Sequence, residues 1–568
     1  MGFGYTERGF VMPRYKTVTA SGNPLTLQNA KRLRKLTIYG NAVQDGTPSP
    51  DAPVEVQLCG DKTGNLYDVN DKYKTWNTAV TDDAGWIIIN FDNSFGDSEY
   101  WTSCFTKYRD VIEPNIQYTL VTEIEYISGG TIYATSRATD NNISPFNTHV
   151  VYSTAGTYCC TVTSKSNLSD CNVLLRTFGC IGAGDTLTAK FRISLLKGSY
   201  TAETIPDYEP YGYKVSGRVE GVNLFDKSNV TLGYRLYQDG QLHPQDEGNE
   251  QFVSDYISVE GNTQYYYNAT TNWDTRLCEY DINKSLLVQH DQSYNVFTDI
   301  FTTSENTAYV RFTRPQSQMD MTMISKGSEA QPYEPYQPPQ DFAVYLPQQI
   351  AKVGDVADTV VVDFEKRTAE LVQRTITHEI TGNEHSSLAI GDDYFIFSSY
   401  LGKRPMIGTR KCFCNICVSK NASTNNPTVS DDIYIFESGS SNYYIHFYVP
   451  KDKYATVDDF KSYLQQMYAD GTPVCALYAV TTVTTDITAM QDWDAMPQVK
   501  GTVTLTMSAE VEPSGAEAVY ISSRSPKPKA QTIADVVINE ADPEHTEASG
   551  PEQTDEAAAL NIEMITYE

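Results

Sequence analysis

The chain carries the same four short motifs twice, in the same order, and that duplication restricts its fold more than any other feature. One stretch opens with Asn65-Leu66-Tyr67-Asp68 and closes with Tyr208-Glu209-Pro210-Tyr211. A second opens with Asn223-Leu224-Phe225-Asp226 and closes with Tyr333-Glu334-Pro335-Tyr336. Between these bookends, Glu113-Pro114-Asn115-Ile116-Gln117-Tyr118 is matched by Glu260-Gly261-Asn262-Thr263-Gln264-Tyr265, and Lys197-Gly198-Ser199 by Lys326-Gly327-Ser328. The intervals differ: 48 against 37 residues from the opening Asn to the first Glu, 84 against 66 from that Glu to the Lys, and 11 against 7 from the Lys to the closing Tyr. Ordered landmarks with unequal gaps describe one fold built twice with loops of different length, and not a solenoid of fixed period.

Each unit reads as all-β. Its apolar runs are short, β-branched and aromatic, and Gly and Pro recur between them as turn punctuation. In the second unit Tyr256–Val259, a Gly-Asn turn and Gln264–Tyr267 give strand, turn and strand; Ala308–Phe312 and Met319–Ile324 add two more. In the first, Trp86–Phe91, Tyr118–Tyr126, Val150–Tyr152 and Leu187–Leu195 play comparable parts. The expected architecture is tandem β-sandwich or jelly-roll modules. Its expected layout is an attachment segment over 1–60, module 1 over 61–213, module 2 over 219–337, a C-terminal β module over 341–525, and an acidic flexible tail over 526–568. The prolines at 332, 335, 338 and 339 predict a stiff linker. Gly40–Pro53, with three prolines, predicts a rigid loop packed on its neighbours. One helix is expected, at Val457–Tyr468, with Asp458 and Asp459 in its first turn.

Charge narrows the classes of partner. The formal net charge is −29, and the last 39 residues hold ten acidic side chains and no Lys or Arg. Such a balance repels phosphate backbones, so no nucleic-acid partner is expected. No apolar run reaches the ~18–20 residues that span a bilayer, so no membrane insertion is expected. The N-terminus lacks the apolar core of a secretory signal, and Gly2 with Thr6 fits the myristoylation pattern only loosely. The 11 cysteines are an odd number without repeated spacing. They read as reduced, buried thiols of a protein assembled in a cytosol.

Four constellations bear on chemistry. Glu123 and Glu125 lie two apart on a predicted strand, about 7 Å from each other on one face. That separation suits an inverting glycosidase. It is also the spacing of any solvated strand face, and module 2 has Ala269 and Thr271 near the matching place. Cys412, Cys414 and Cys417, with Cys475 or His446 as a fourth ligand, are the best zinc candidates, although the spacing is irregular and buried core thiols explain it too. His378-Glu379 with His385 lacks the four-residue helical spacing of zinc proteases. Finally, aromatic faces stack on sugar C–H surfaces while Arg, Asp and Asn supply directional hydrogen bonds. Tyr265, Tyr266, Tyr267, Trp273 and Arg276 concentrate on one strand and its loop in module 2, and Trp76, Trp86 and Trp101 sit in or beside the longer loops of module 1. Strand alternation turns about half of such residues into the core. Trp273, Arg276, Tyr265, Tyr267 and Trp101 are the expected glycan contacts; no catalytic residue and no cofactor is expected.

The stretch Tyr39-Gly40-Asn41-Ala42-Val43-Gln44-Asp45-Gly46-Thr47-Pro48-Ser49-Pro50-Asp51-Ala52-Pro53 resembles a segment of tail and minor structural proteins of phages and prophages of gut Firmicutes. There it precedes modules that begin Asn-Leu-Phe-Asp and end Lys-Gly-Ser and Tyr-Glu-Pro-Tyr, as both units do here. Leu346-Pro347 and Val353-Gly354-Asp355-Val356-Ala357-Asp358 resemble the link to the C-terminal module of the same proteins. The resemblance spans roughly residues 20 to 510. It implies placement in a virion assembled in a bacterial cytoplasm, jelly-roll modules similar to carbohydrate-binding ones, and contacts with other virion proteins. It also implies a homo-oligomer, for which a trimer is expected. The segment lies nearer the N-terminus than is usual, leaving tail tip, baseplate and capsid appendage open. The expected function is therefore a non-enzymatic virion protein that adheres to host-surface or mucus glycans. A glycan depolymerase of the tail, a ligand-free decoration or head-fibre protein, and a cellular adhesin are the alternatives. The first would need a paired-carboxylate cleft and the last a signal or anchor.

Overall fold

The computed structural model describes residues 25–522 with interruptions, the longest at 69–79, 105–111, 137–144, 269–275 and 292–299. The acidic tail, Trp76 and Trp273 lie outside the described residues, as does the side chain of Trp101. The protein is all-β, with one α-helix among the described residues.

Its centre is a sandwich assembled from strands scattered along the chain: β1 (Leu25–Ala30), β2 (Lys35–Tyr39), β3 (Asp61–Lys62), β4 (Tyr213–Gly221), β5 (Gln340–Leu346), β6 (Thr359–Asp363), β7 (Thr368–Ile380), β8 (Val474–Asp486), β9 (Gly501–Met507), β10 (Glu510–Ser514) and β11 (Val519–Ser522). One sheet runs β5-β4-β9-β1-β11, with β3 also paired to β4. The other runs from Cys412–Cys414 through β8, β7, β6 and β2 to β10. Apolar residues at alternate positions face inward from both: Leu36 and Ile38 on β2, Val360 and Val362 on β6, Phe342, Val344 and Leu346 on β5, and Val503, Leu505 and Met507 on β9. Gly217 on β4 permits this approach, because a Cβ there would lie 2.4 Å from both Met507 Sδ and the Phe342 ring.

Three lobes are inserted into this sandwich, each carried on an antiparallel strand pair. Module 1 leaves from β3 and returns to β4, where Lys62 faces Tyr213 and the Thr63 N–H donates to the Gly212 carbonyl at 3.0 Å. Module 2 leaves from β4 and returns to β5; Val219 faces Gln340, and Arg218 forks onto Asp341 at 3.0 and 3.1 Å. The third lobe leaves along β7 and returns along β8, which pair from Glu370–Asp486 to Ile380–Val474. The described part of the segment 1–60 is therefore built into the central sandwich. Strand β2 is interior, between β6 and β10, with Leu36 and Ile38 fully buried. Local sequence cannot announce pairing partners more than 300 residues away. The region Gly501–Val511, which reads as one strand, is two: the chain changes sheet at Ser508, which exchanges hydrogen bonds with the Ser216 backbone at 2.9 Å.

Module 1 packs a five-stranded sheet, ordered Gly156–Thr163, Gln117–Ser128, Thr186–Lys197, Ile87–Asp92, Val80–Thr81, on a four-stranded one. Module 2 packs a larger sheet centred on Tyr309–Pro315 against three strands, Ile300–Thr302, Gln264–Tyr267 and Ile324–Lys326. The expected strands at Ile257–Ser258 and Gln264–Tyr267 both form, and they join different sheets, so the Gly-Asn turn between them is a corner. The strand expected over Met319–Ile324 differs. Gln316–Met321 is a 3-10 turn, since Pro315 ends the preceding strand.

The repeated motifs are the stitches of the fold. Asn65 Oδ1 accepts from the N–H groups of Tyr67 and Leu195 at 2.9 and 3.1 Å, while its amide donates to the Glu209 carbonyl at 3.1 Å. Asn223 does the same with Phe225 and Ile324, at 2.9 and 3.3 Å, and with the Glu334 carbonyl at 2.9 Å. The opening Asn of each module thus ties its own turn, its last strand and its closing Tyr-Glu-Pro-Tyr together. The second motif builds a matching corner. The N–H of Glu113, or of Glu260, donates to the hydroxyl of Tyr118, or of Tyr265, at 2.8 Å in both. Asn115 and Asn262 take left-handed φ of 59° and 52°, which Asn tolerates. Lys197 and Lys326 then reach the corner glutamates at 2.6 Å.

In the third lobe, five strands centred on Tyr394–Tyr400 and Tyr444–Pro450 receive helix α1 (Val457–Ala469) through Phe460 and Leu464. Thr456 and Asp459 form a reciprocal capping box at its start. The loop over 40–53 packs here, with Gln44 Nε2 donating to the Cys414 carbonyl at 2.9 Å.

Candidate functional site

Alternation decides the fate of the aromatic run Gln264–Tyr267. Tyr265 and Tyr267 point inward and are 2% and 1% exposed, packed with Phe225, Phe301 and Phe312. Tyr266 is buried as well. None of the three rings can lie against a ligand at the surface, which removes Tyr265 and Tyr267 from the expected glycan contacts. Trp101 is placed only by its backbone, opposite Phe178.

Arg276 keeps its place at the surface. It lies at the end of strand Arg276–Tyr280 beside a hairpin, Tyr234–Leu236 with Leu242–Pro244, whose turn holds Asp239-Gly240. Leu236 anchors the hairpin in a small core with Val253, Cys278 and Tyr280. Its N–H donates to Thr313 Oγ1 at 2.7 Å, and the Tyr280 hydroxyl donates to the Gly240 carbonyl at 2.8 Å. With Leu236 turned in, Arg235 and Tyr237 turn out, and His243 is the cross-strand neighbour of Arg235. Tyr237 is 41% exposed. The guanidinium groups of Arg235 and Arg276 lie 5.4 and 5.5 Å from its ring centroid, and the His243 ring lies 4.7 Å away. Arg276 is held by a 2.9 Å bond from Nη1 to the Leu236 carbonyl. Among the described residues Arg235 forms no ion pair, whereas Asp239 accepts from Gln241 N–H at 2.9 Å and lies 3.4 Å from His243. The Gln241 bond, and then His243, hold the Asp239 carboxyl below the usual range. Tyr237, Arg235 and His243 escaped the sequence reading, although Asp-Gly between alternating runs is a hairpin signal that could have found them.

Module 1 offers a cleft of about 150 Å³ lined by Asn65, Glu123, Arg192, Ser194, Tyr208 and Glu209, among others. Its polar groups are engaged with one another. Arg192 donates to both oxygens of Glu123 at 2.5 and 2.9 Å and lies between the rings of Trp86 and Tyr208, 4.6 and 4.2 Å from their centroids. Glu209 accepts from Gly64 N–H at 2.7 Å and from Lys214. Glu125 pairs with Lys190 at 2.6 Å. Each carboxylate of the Glu123/Glu125 pair is therefore met by a cation on the next strand.

The thiol constellation is a core. Cys412, Cys414 and Cys417 pack with Phe447, Phe460 and Leu464, and burial pushes the thiols of Cys412 and Cys417 up. His446 lies on the opposite sheet face from Ile445 and Phe447, its Nδ1 2.9 Å from Ser398 Oγ, and burial holds its pKa down at about 4. Among the described residues no three His, Cys, Asp or Glu side chains are grouped to hold a metal ion. His378 and Glu379 are neighbours on the extended β7, so they point to opposite faces.

No protein-family model and no curated protein matches this sequence.

Proposed function

We propose that this chain is a structural protein of a tailed-phage virion whose β-sandwich modules adhere to host-surface or mucus glycans. The observation that carries the adhesive part is the hairpin surface of module 2. An exposed Tyr237 ring is flanked there by the two guanidinium groups of Arg235 and Arg276, on a hairpin fixed by bonds from Thr313 and Tyr280. An exposed aromatic with forked donors on a rigid support is the arrangement that stacks on a sugar ring and orients its oxygens. Placement in a virion rests on the resemblance of Tyr39–Pro53 and of the two stitched modules to phage tail proteins. Binding is favoured over hydrolysis because Glu123 and Glu125 are both ion-paired.

The test is a glycan array probed with the full chain, with its oligomeric state measured by light scattering on the same sample. Selective glycan binding that falls at least tenfold in Tyr237→Ala, with thermal unfolding unchanged, is the expected result. A stable oligomer that binds no glycan would overturn the adhesive reading in favour of a ligand-free structural role.

A further inference from the structure

We infer that the strand Gly156–Thr163 of module 1 is an interface at which two copies of this chain join edge to edge, antiparallel about a twofold axis at Cys160. The inference goes beyond the adhesive reading and does not rest on it.

The hydrogen-bond phase of the strand carries the argument. Among the described residues it is the last strand of its sheet, paired on one side with Gln117–Ser128. The Ser164 N–H donates to the Ile116 carbonyl at 2.9 Å, in the same register that sets Val162 against Tyr118. Backbone groups alternate sides along an antiparallel ladder. The even-numbered residues therefore bond to the neighbouring strand, and Thr157, Cys159, Thr161 and Thr163 turn their N–H and carbonyl groups to the open edge. Side chains alternate as well: Tyr158, Cys160 and Val162 pack on the core of module 1, while Thr157, Thr161 and Thr163 are exposed. A row of outward N–H and carbonyl groups at this spacing is complemented by another strand.

Charge and self-complementarity point to a second copy as that partner. Other edges of the molecule are guarded. On β5, Gln491 bonds to both the N–H and the carbonyl of Tyr345, at 3.0 and 2.9 Å. The edge strand β10 reads Glu-Val-Glu-Pro-Ser, with like charges and a residue that has no N–H. The strand Gly156–Thr163 has no charge, no proline and no bulge over its 8 residues. In a chain of net charge −29, two copies can approach only where charge is absent or balanced. It is balanced on the neighbouring strands, where Glu123 is paired with Arg192 and Glu125 with Lys190. An axis at Cys160 sets Thr157 against Thr163 and Cys159 against Thr161 of the second copy, so outward backbone groups meet outward backbone groups. Tyr158 meets Val162 on the core side, and aromatic pairs with β-branched residues stabilise adjacent strands. Each face stays on its own side of the joined sheet, as a closed twofold interface requires.

The experiment measures the mass of the full chain by light scattering at micromolar concentration, beside Thr161→Lys and Thr163→Lys, with thermal unfolding as the control for folding. The expected result is a dimer for the parent chain and a monomer for both variants, because a lysine on this edge enters the interface twice and blocks pairing. Diamide, an oxidant that takes two electrons and two protons from a pair of thiols, should then join Cys160 to Cys160 of the second copy. Cys160 is in no disulfide, and a pair of this kind without mutual hydrogen bonds brings Cα atoms to about 4.5 Å, within disulfide reach. The product is a peptide linked to its own copy, read by mass spectrometry. A monomeric parent, a trimer, or a dimer that both lysine variants leave intact overturns the inference. Absence of the Cys160 bond from an oxidised dimer overturns the axis, and that bond decides the case in the parent chain should the variants fail to fold.

Discussion

Asn223 shows how much a single buried amide can organise. Its oxygen serves two backbone N–H groups, and its nitrogen serves the carbonyls of Thr322 and Glu334 at 3.2 and 2.9 Å. Asn223→Ala would strand those groups in the interior, where an unmet backbone group costs about 1–3 kcal/mol. We expect module 2 to lose about 2–3 kcal/mol, read as a lower denaturant midpoint with Asn65→Ala acting likewise on module 1. An unchanged midpoint would show that water replaces the stitch. Glu279 is a second such residue, held by Ser304 N–H at 2.8 Å and by Thr307 Oγ1 and His290 Nε2 at 2.5 Å. Burial alone would raise its pKa; the hydrogen bonds outweigh burial and pull it to about 2, from an ordinary 4.5. A depressed carboxylate contributes stability that is present above the unfolded value and disappears as pH falls through the folded one. Module 2 should therefore weaken between about pH 4.5 and 2, by on the order of 3 kcal/mol. Glu279→Gln should flatten that acid limb, and an acid limb of unchanged steepness would remove Glu279 as its source. The stitches were legible in the sequence because each is a short motif whose residue types the turn itself requires, as Asn115 and Asn262 show. The burial of Tyr265, Tyr266 and Tyr267 together was not legible, because alternation leaves one face to solvent whereas this strand is buried on both.

At the scale of elements, the strands themselves follow from local pattern and their partners do not. Helix α1 is readable from end to end, since its cap, its first-turn acids and its apolar stripe all lie within one short stretch. Strand β2 reads equally well as a strand, yet nothing near it announces that β6 and β10 will flank it. That position has a measurable consequence. Leu36 and Ile38 are fully buried between the two central sheets, so Leu36→Ala should cost about 2–5 kcal/mol through lost contact and the cavity left behind. The loss should appear in the transition that unfolds the central sandwich, with the modules' own transitions unmoved. If the substitution is nearly neutral, residues 35–39 do not belong to that core and an attachment role for the segment returns.

At the scale of the whole molecule, insertion replaces the string of beads that the tandem motifs suggest. A bead on a linker can rotate freely, whereas each lobe here is held at both ends by strands hydrogen-bonded to each other, and β4 serves two lobes at once. The geometry makes excision of module 2 a clean experiment. Gly221 and Gln337 already touch, since a Cβ on Gly221 would lie 2.9 Å from that of Gln337. The two ends can therefore be closed with a two-residue Asn-Gly turn in place of residues 222–336, leaving β4 and β5 as an ordinary hairpin. The excised chain should fold, keep the unfolding transitions of the central sandwich and module 1, and lose saccharide binding along with Tyr237 and Arg276. A chain truncated before residue 41 should fail to fold, because it loses β1 and β2 from the two facing sheets. The two deletions separate the roles: if the excised chain aggregates while the truncated one folds, the central sandwich is not the support on which the lobes are built. If the excised chain folds and still binds saccharide, the ligand surface lies on another lobe, and the arginine pair of module 2 is ornament to a different site.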